Sequence, residues 1–221
     1  MEVVLIKAQY KQLFSISESI KEKLKKIPDK IGLVSTVQSL SMLPILKKEL
    51  ENLGKEVLVY GNGQILGCNA DSATKIEDNV DAFIYLGSGK FHPIQLALAL
   101  KKKKRIYTLN PLSKEFSELD WKEVEKFRIR KEVSKAKFLT SDKVGILVSI
   151  KSGQSNIFGA LKLKEKFESE EKGGEKKKAY LFLFDNLDMN QFENFPEIES
   201  YANTACPGLA LDHKFVNIRD L

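Results

Sequence analysis

The thiol and imidazole side chains of this chain are few: Cys68 and Cys206, His92 and His213. The cysteines stand far apart, with no CxxC or zinc-ribbon spacing, and the histidines form no HExxH, so no local zinc motif is present. Cys68 closes a glycine-rich run, Gly61-Asn62-Gly63-Gln64-Ile65-Leu66-Gly67-Cys68-Asn69. It is not a dinucleotide fingerprint, because the third glycine comes one residue late and no helix start follows. A ligand-bearing turn and a flexible loop with an incidental thiol both fit it. Cys206 lies in Asn203-Thr204-Ala205-Cys206-Pro207-Gly208, where a structural role stands beside a ligating one, since cysteine commonly packs as a small buried hydrophobe. Gly87-Ser88-Gly89-Lys90 fails as a P-loop: Ile84 occupies the first glycine position and Phe91 the Ser/Thr position. What remains is a Gly-Ser-Gly turn feeding a helix, whose backbone N–H groups suit an anion or carboxylate, or a close-packing turn with no ligand. His92 either caps or packs against that helix or lines a site, a capping or packing role being favoured. Ser152-Gly153-Gln154 presents backbone N–H groups between a strand and a helix, and Asp212-His213 stands near Cys206 or on the tail surface.

Positioning these residues requires strands that alternate with helices. Strands are expected at Glu2–Ile6, Lys30–Ser35, Glu56–Tyr60, Asp81–Leu86 and Ile106–Leu109. Helices are expected from Ser15 to about Lys26, over Met42–Leu53 with Leu43, Leu46, Leu50 and Leu53 at helical spacing, and over Pro93–Leu100 running into the basic end Lys101–Arg105. Trp121–Lys137 reads as a long charged connecting helix. The pattern then restarts. Lys143–Ile150 echoes Lys30–Val37, Lys178–Phe184 echoes Lys55–Tyr60, and Glu199–Ala205 stands where Asp81–Leu86 stood. Alternation of this kind calls for parallel βαβ units, and the restart for two similar small Rossmann-like α/β domains. The boundaries expected are a strand–helix remnant of a preceding domain over 1–28, an α/β domain carrying Cys68 over 29–140, and one carrying Cys206 over 141–221. Both thiols then follow strands of parallel sheets, at whose carboxyl ends ligands gather.

Composition narrows the classes further. No apolar run approaches the roughly 20 residues of a membrane span, and the N-terminal apolar stretch is too short for a signal peptide, so a soluble, cytoplasmic protein is expected. The formal charge is +6, from 36 Lys+Arg against 30 Asp+Glu, but only Arg105, Arg128, Arg130 and Arg219 are arginines, which leaves 32 lysines. Arginine is the residue favoured for bidentate phosphate and base recognition. The charge therefore reads as solvation, with neither a nucleic-acid site nor a membrane surface. The Lys/Glu/Gly tract Glu168–Lys178 reads as a solvated helix end and loop.

Taken together and in order, Gly63–Cys68, Gly87–Pro93, Ser152–Gln154 and Thr204–Pro207 with Asp212 resemble the archaeal type of the diphthamide synthesis family, over nearly the whole chain. That resemblance implies three similar α/β domains, each giving one cysteine to a central 4Fe-4S cluster, with an open iron for S-adenosylmethionine. It implies reductive cleavage of the sulfonium, releasing a 3-amino-3-carboxypropyl radical that is added to one histidine of elongation factor 2. Three thiolates with one vacant position suit that chemistry. Cys68 and Cys206 would be two of the ligands. Gln64, Gly67, Gly87, Ser88, Gly89, His92, Ser152, Gly153 and Gln154 would help to hold S-adenosylmethionine.

Measured against that pattern, most of the first domain and its cysteine are missing, Gly208 stands where an arginine is expected, and Leu221 ends short of the expected tail. The reading favoured is therefore a subunit of a split synthase, a transferase whose third cysteine comes from a partner protein, assembled as a dimer or heterotetramer. A non-catalytic accessory subunit without its own cluster is the alternative, and an unrelated two-domain nucleotide-binding protein is the third.

Overall fold

The computed structural model describes residues 4, 6, 8–11, 14–169, 176–211 and 215–221. Most of the strand expected at Glu2–Ile6 lies outside the described residues, as do Asp212, His213 and the middle of the Glu168–Lys178 tract. The chain divides into two compact units, Met1–Glu125 and Lys126–Leu221. Both are of the α/β class expected, with parallel-rich sheets.

In the first unit, helix α1 (Glu18–Lys25) leads into β1 (Lys30–Ser35), then α2 (Leu43–Asn52), β2 (Glu56–Leu58), the single turn α3 (Asp71–Thr74), β3 (Ala82–Leu86), α4 (Phe91–Ala99), β4 (Arg105–Leu109) and β5 (Phe116–Glu118). The strand order is β2-β1-β3-β4-β5, parallel except for the antiparallel β5. Alternate residues of each strand face opposite sides, as a sheet covered on both faces requires. Ile31, Leu33, Ile84 and Leu109 pack with Ile20, Leu24, Leu46 and Leu50 of α1 and α2 on one side. Val34, Phe83, Tyr85 and Ile106 pack with Ala73, Leu96 and Ala97 of α3 and α4 on the other.

Helix α5 (Trp121–Thr140) runs three residues further than its charge pattern indicated. The second unit continues with β6 (Lys143–Ser149), α6 (Ile157–Ser169), β7 (Lys178–Phe184), β8 (Ser200–Asn203) and β9 (Phe215–Asn217). Its order is β7-β6-β8-β9, all parallel. One face packs Val144, Ile146 and Val148 against Phe138, Ala160 and Phe167 of α5 and α6. The other carries Leu147, Tyr201 and Phe215 with an aromatic group that includes Phe182 and Phe192. There a short 3-10 segment, Met189–Asn194, takes the place of a helix.

One local expectation is corrected. The lysines after α4 do not complete the helix, because Leu100 turns extended (φ −71°, ψ 139°). They are spent on the neighbouring turn instead. The Lys102 N–H donates to Glu77 Oε1 at 2.6 Å, Lys102 Nζ pairs with Asp78 at 2.7 Å, and Lys104 Nζ donates to the Val80 carbonyl at 2.7 Å.

Candidate functional site

In the first unit the glycine-rich run is built, not slack. β2 stops at Leu58, and after the Gly61–Gly63 turn the chain rejoins the end of β1. The Ser35 N–H donates to the Gly63 carbonyl at 2.8 Å, and the Ile65 N–H to the Ser35 carbonyl at 2.8 Å. Gly63 has φ +76°, and a Cβ there would stand 2.7 Å from Leu43 Cδ1, so only glycine fits. Asn62 Oδ1 accepts from the Gln64 N–H at 2.9 Å, and Ser72 Oγ donates to the Gln64 carbonyl at 2.8 Å. Buried Ile65 anchors the loop in the core. Beyond it, Leu66 and Asn69 exchange backbone hydrogen bonds at 2.8 and 3.2 Å, which leaves Gly67 and exposed Cys68 at the tip of a tight turn.

The Gly87–Pro93 segment is joined to that turn. A Cβ at Gly67 would stand 2.5 Å from Phe91 Cε1, so the turn's backbone rests directly on the Phe91 ring. His92 lies beside it, edge-on to Phe91 (5.1 Å between ring centres) and stacked with Tyr85 (6.0 Å, 16°). Partial burial lowers the His92 pKa, because desolvation disfavours the charged imidazolium. Burial also raises that of Tyr85. Gly87 is dictated by Tyr85, whose hydroxyl would be 2.5 Å from any Cβ there. Ser88, Gly89 and Lys90 are exposed. Lys90 pairs with Glu123 at 2.6 Å, so its charge is already matched. His92 and Pro93 belong to the first turn of α4, where the absence of a proline N–H breaks no helical bond. His92 packs within that turn instead of capping the helix.

In the second unit Ser152-Gly153-Gln154 forms an exposed turn between β6 and α6. Gly153 has φ +78°, and the Gln154 and Ser155 N–H groups both donate to the Lys151 carbonyl at 3.0 Å. Asn156 Oδ1 accepts from the Gly159 N–H at 3.2 Å at the start of α6. Cys206 is half-buried in the connection between β8 and β9. Its turn is tied on both sides. The Thr204 N–H and Oγ1 both donate to the Leu147 carbonyl of β6, at 3.1 and 2.8 Å. Asn203 Nδ2 donates to the Cys206 carbonyl at 2.9 Å and to Asn217 Oδ1 of β9 at 2.8 Å. Pro207 and Gly208 open a 3-10 turn after the thiol.

Sequence reasoning placed the thiols and glycines but missed Phe91, Ser72 and Asn203. For Asn203 a signal was available: asparagine ahead of a turn bonds the backbone two residues on, as its Oδ1 does to the Ala205 N–H at 3.0 Å. Phe91 carried no such signal.

Neither cysteine is in a disulfide. Soft thiolates in turns beyond parallel strands suit an iron–sulfur cluster. Among the described residues, however, no three His, Cys, Asp or Glu side chains gather as a metal site. Each unit thus carries one thiol and, among the described residues, no metal site of its own. No described helix is long and apolar enough to cross a membrane.

Comparison with known proteins fits this donor chemistry. Residues 2–216 match the family described as "Putative diphthamide synthesis protein". The chain is 33% identical over 208 residues to the 2-(3-amino-3-carboxypropyl)histidine synthase of Pyrococcus horikoshii, covering 90% of this chain and 57% of the relative. It is 29% identical over 197 residues to the enzyme of the same name from Methanocaldococcus jannaschii, covering 86% and 48%. A crystal structure of Dph2 from Pyrococcus horikoshii with a 4Fe-4S cluster superposes with a TM-score of 0.71 at 29% identity, over 92% of this chain and 59% of that one. The chain thus spans about half the length of the curated relatives it matches.

Proposed function

The chain belongs to the diphthamide synthesis protein family, and from that membership we propose that it is a subunit of a cytoplasmic 2-(3-amino-3-carboxypropyl)histidine synthase acting on elongation factor 2. The observation that carries this reading is the pair of thiols, each presented from a hydrogen-bonded turn beyond the parallel strands of its own unit. Cys68 and Cys206 would be two thiolate ligands of a 4Fe-4S cluster. These 221 residues hold only two cysteines, so the third thiolate comes from outside them, on this reading from a partner protein. When bound, the cluster supplies the electron that cleaves a carbon–sulfur bond of S-adenosylmethionine.

The residues of this chain orient the reactants. In the Gly87-Ser88-Gly89 turn at the head of α4 the Gly87 N–H is spent on the Leu109 carbonyl at 3.0 Å, and exposed Ser88 and Gly89 offer their backbone N–H groups to the amino acid carboxylate of S-adenosylmethionine. The half-buried Gln64 and the turn at Gly67 flank Cys68, and the neutral His92 imidazole adds a donor or acceptor without adding charge. On the same reading Ser152, Gly153 and Gln154 of the second unit, an exposed polar turn, would also help to hold S-adenosylmethionine.

Anaerobic capture of the chain from its native cells tests this. The expected result is a brown complex containing iron, sulfide and a cysteine-bearing partner, with iron falling to background in Cys68→Ser and in Cys206→Ser. Full iron content in both variants would overturn the ligand assignment. A colourless, partnerless chain would establish the accessory reading in its place.

A further inference from the structure

Asn203 is 2% exposed, and its amide makes three hydrogen bonds, two to the Cys206 turn and one to β9. Its Nδ2 donates to the Cys206 carbonyl (2.9 Å) and to Asn217 Oδ1 (2.8 Å), and its Oδ1 accepts from the Ala205 N–H (3.0 Å). One amide therefore spans the backbone on both sides of the peptide that leads into Cys206, and ties it to β9. Next to it, the Thr204 N–H and hydroxyl fasten the same stretch to the Leu147 carbonyl of β6. No neighbouring carbonyl or hydroxyl could replace the amide, because the job needs a donor with two hydrogens and an acceptor on one planar group. Thr204–Cys206 itself lies outside any strand or helix, between β8 and the 3-10 turn that opens at Pro207, whose Leu209 N–H also donates to the Cys206 carbonyl at 3.0 Å.

We propose that Asn203 is a positioning residue that fixes the Cys206 thiol in its presenting posture before any ligand arrives. This deepens the assignment of Cys206 as a cluster ligand and rests on it for its purpose, but the posture itself is a property of the protein without the cluster. Preorganisation of this kind limits what has to be ordered when a metal centre forms.

The test compares the two thiols in the full chain, purified without the cluster. Iodoacetamide labelling of Cys206 and of Cys68 is followed separately by peptide mass spectrometry, in the parent and in Asn203→Ala. Losing the amide takes away the partner of the Ala205 N–H and the tie to β9, and leaves the Cys206 carbonyl only the Leu209 N–H (3.0 Å), enough to raise the open population of the turn about tenfold. The expected result is an increase of about tenfold in the Cys206 labelling rate with the Cys68 rate unchanged. General destabilisation is read separately as a fall in denaturant midpoint, and a Cys206 rate that rises only in proportion to global unfolding would overturn the proposal. So would a Cys206 rate within twofold of the parent. Should Asn203→Ala not fold, Asn217→Ala decides: it removes only the bond to β9, and a selective rise of about threefold at Cys206 is expected, no rise being fatal. The cluster reading is tested separately. A Cys206→Ser complex that keeps full iron would refute the ligand role and leave the labelling result standing, whereas flat labelling kinetics would refute the role of Asn203 alone.

Discussion

In the first unit Gly32 of β1 lies under the ring of Phe83, its register partner on β3; in the second, Gly145 of β6 lies under the ring of Tyr201, its partner on β8. A Cβ would meet those rings at 2.4 and 2.3 Å. A second correspondence involves lysines that stand just before the second strand. Lys55 Nζ donates to the Lys25 and Ile27 carbonyls (3.1 and 2.7 Å), at the end of α1 and just beyond it, and pairs with Asp29 (2.9 Å). Lys177 Nζ donates to the Leu139 and Ser141 carbonyls (2.7 and 2.6 Å) at the end of α5. Each unit thus opens with a helix whose last carbonyls are closed by a cation, where the helix dipole favours one. The order of the first four strands is the same in both, second-first-third-fourth, and the first unit adds the antiparallel β5 at its edge.

The units differ in their connections. The first carries its thiol between the second and third strands, and puts the Gly87–Pro93 turn and α4 between the third and fourth. The second carries Cys206 between the third and fourth strands. Between its second and third strands it has the 3-10 segment and a groove of about 600 Å³ lined by Phe182, Phe184, Phe192 and Phe195. The shared scaffold is what packing constrains. Loops at the carboxyl ends of the strands are free to diverge, and the chemistry-bearing residues sit there.

The comparison is tested hardest at the glycines. Gly32→Ala and Gly145→Ala should each cost about 3 kcal/mol through overpacking against a buried ring, read as a drop in denaturant midpoint. A large loss in one and none in the other would break the equivalence of the units. The lysines should separate. Lys55→Ala removes a buried donor with three partners and should cost about 2 kcal/mol, whereas Lys177→Ala, half-exposed, should cost about 1 kcal/mol. Equal losses would show that the two closures are equally buried in solution. Gly67→Ala meets the Phe91 ring, which is half-buried and able to shift, so about 1 kcal/mol is expected. Its sharper effect should be a lower iron content in the captured complex.

The smallest effect is the loss of stability that His92 of the first unit contributes as pH falls. Burial lowers the His92 pKa from its ordinary value of 6.5. As pH falls through that value the unfolded imidazole takes up a proton that the folded one resists, so stability is complete above it and declines below. His92→Gln should flatten that part of the stability–pH curve. An unchanged slope would mean that the imidazole is not desolvated.

Much of this was legible in the residues. Strands β1 and β7 lie where the apolar runs indicated, and the echo of Lys30–Val37 in Lys143–Ile150 is the structural echo of β1 in β6. Strands β5 and β9, of three residues each, left no pattern long enough to register. The lysines after α4 read as a helix end because propensity and charge favoured one, and the carboxylates of Glu77 and Asp78 won them instead.

The sequence by itself determined the α/β class, the restart of the strand–helix pattern and the two thiols in glycine- and proline-marked turns, because periodicity and turn chemistry are local properties. Only the tertiary structure decided that Gly67 rests on Phe91, that Lys55 and Lys177 close the preceding helices, and that Asn203 holds the Cys206 turn. These contacts join segments by sidedness and register. A side chain's partner across a sheet or loop exists only once the strands are paired, and nothing along the chain encodes it within reach of a local pattern.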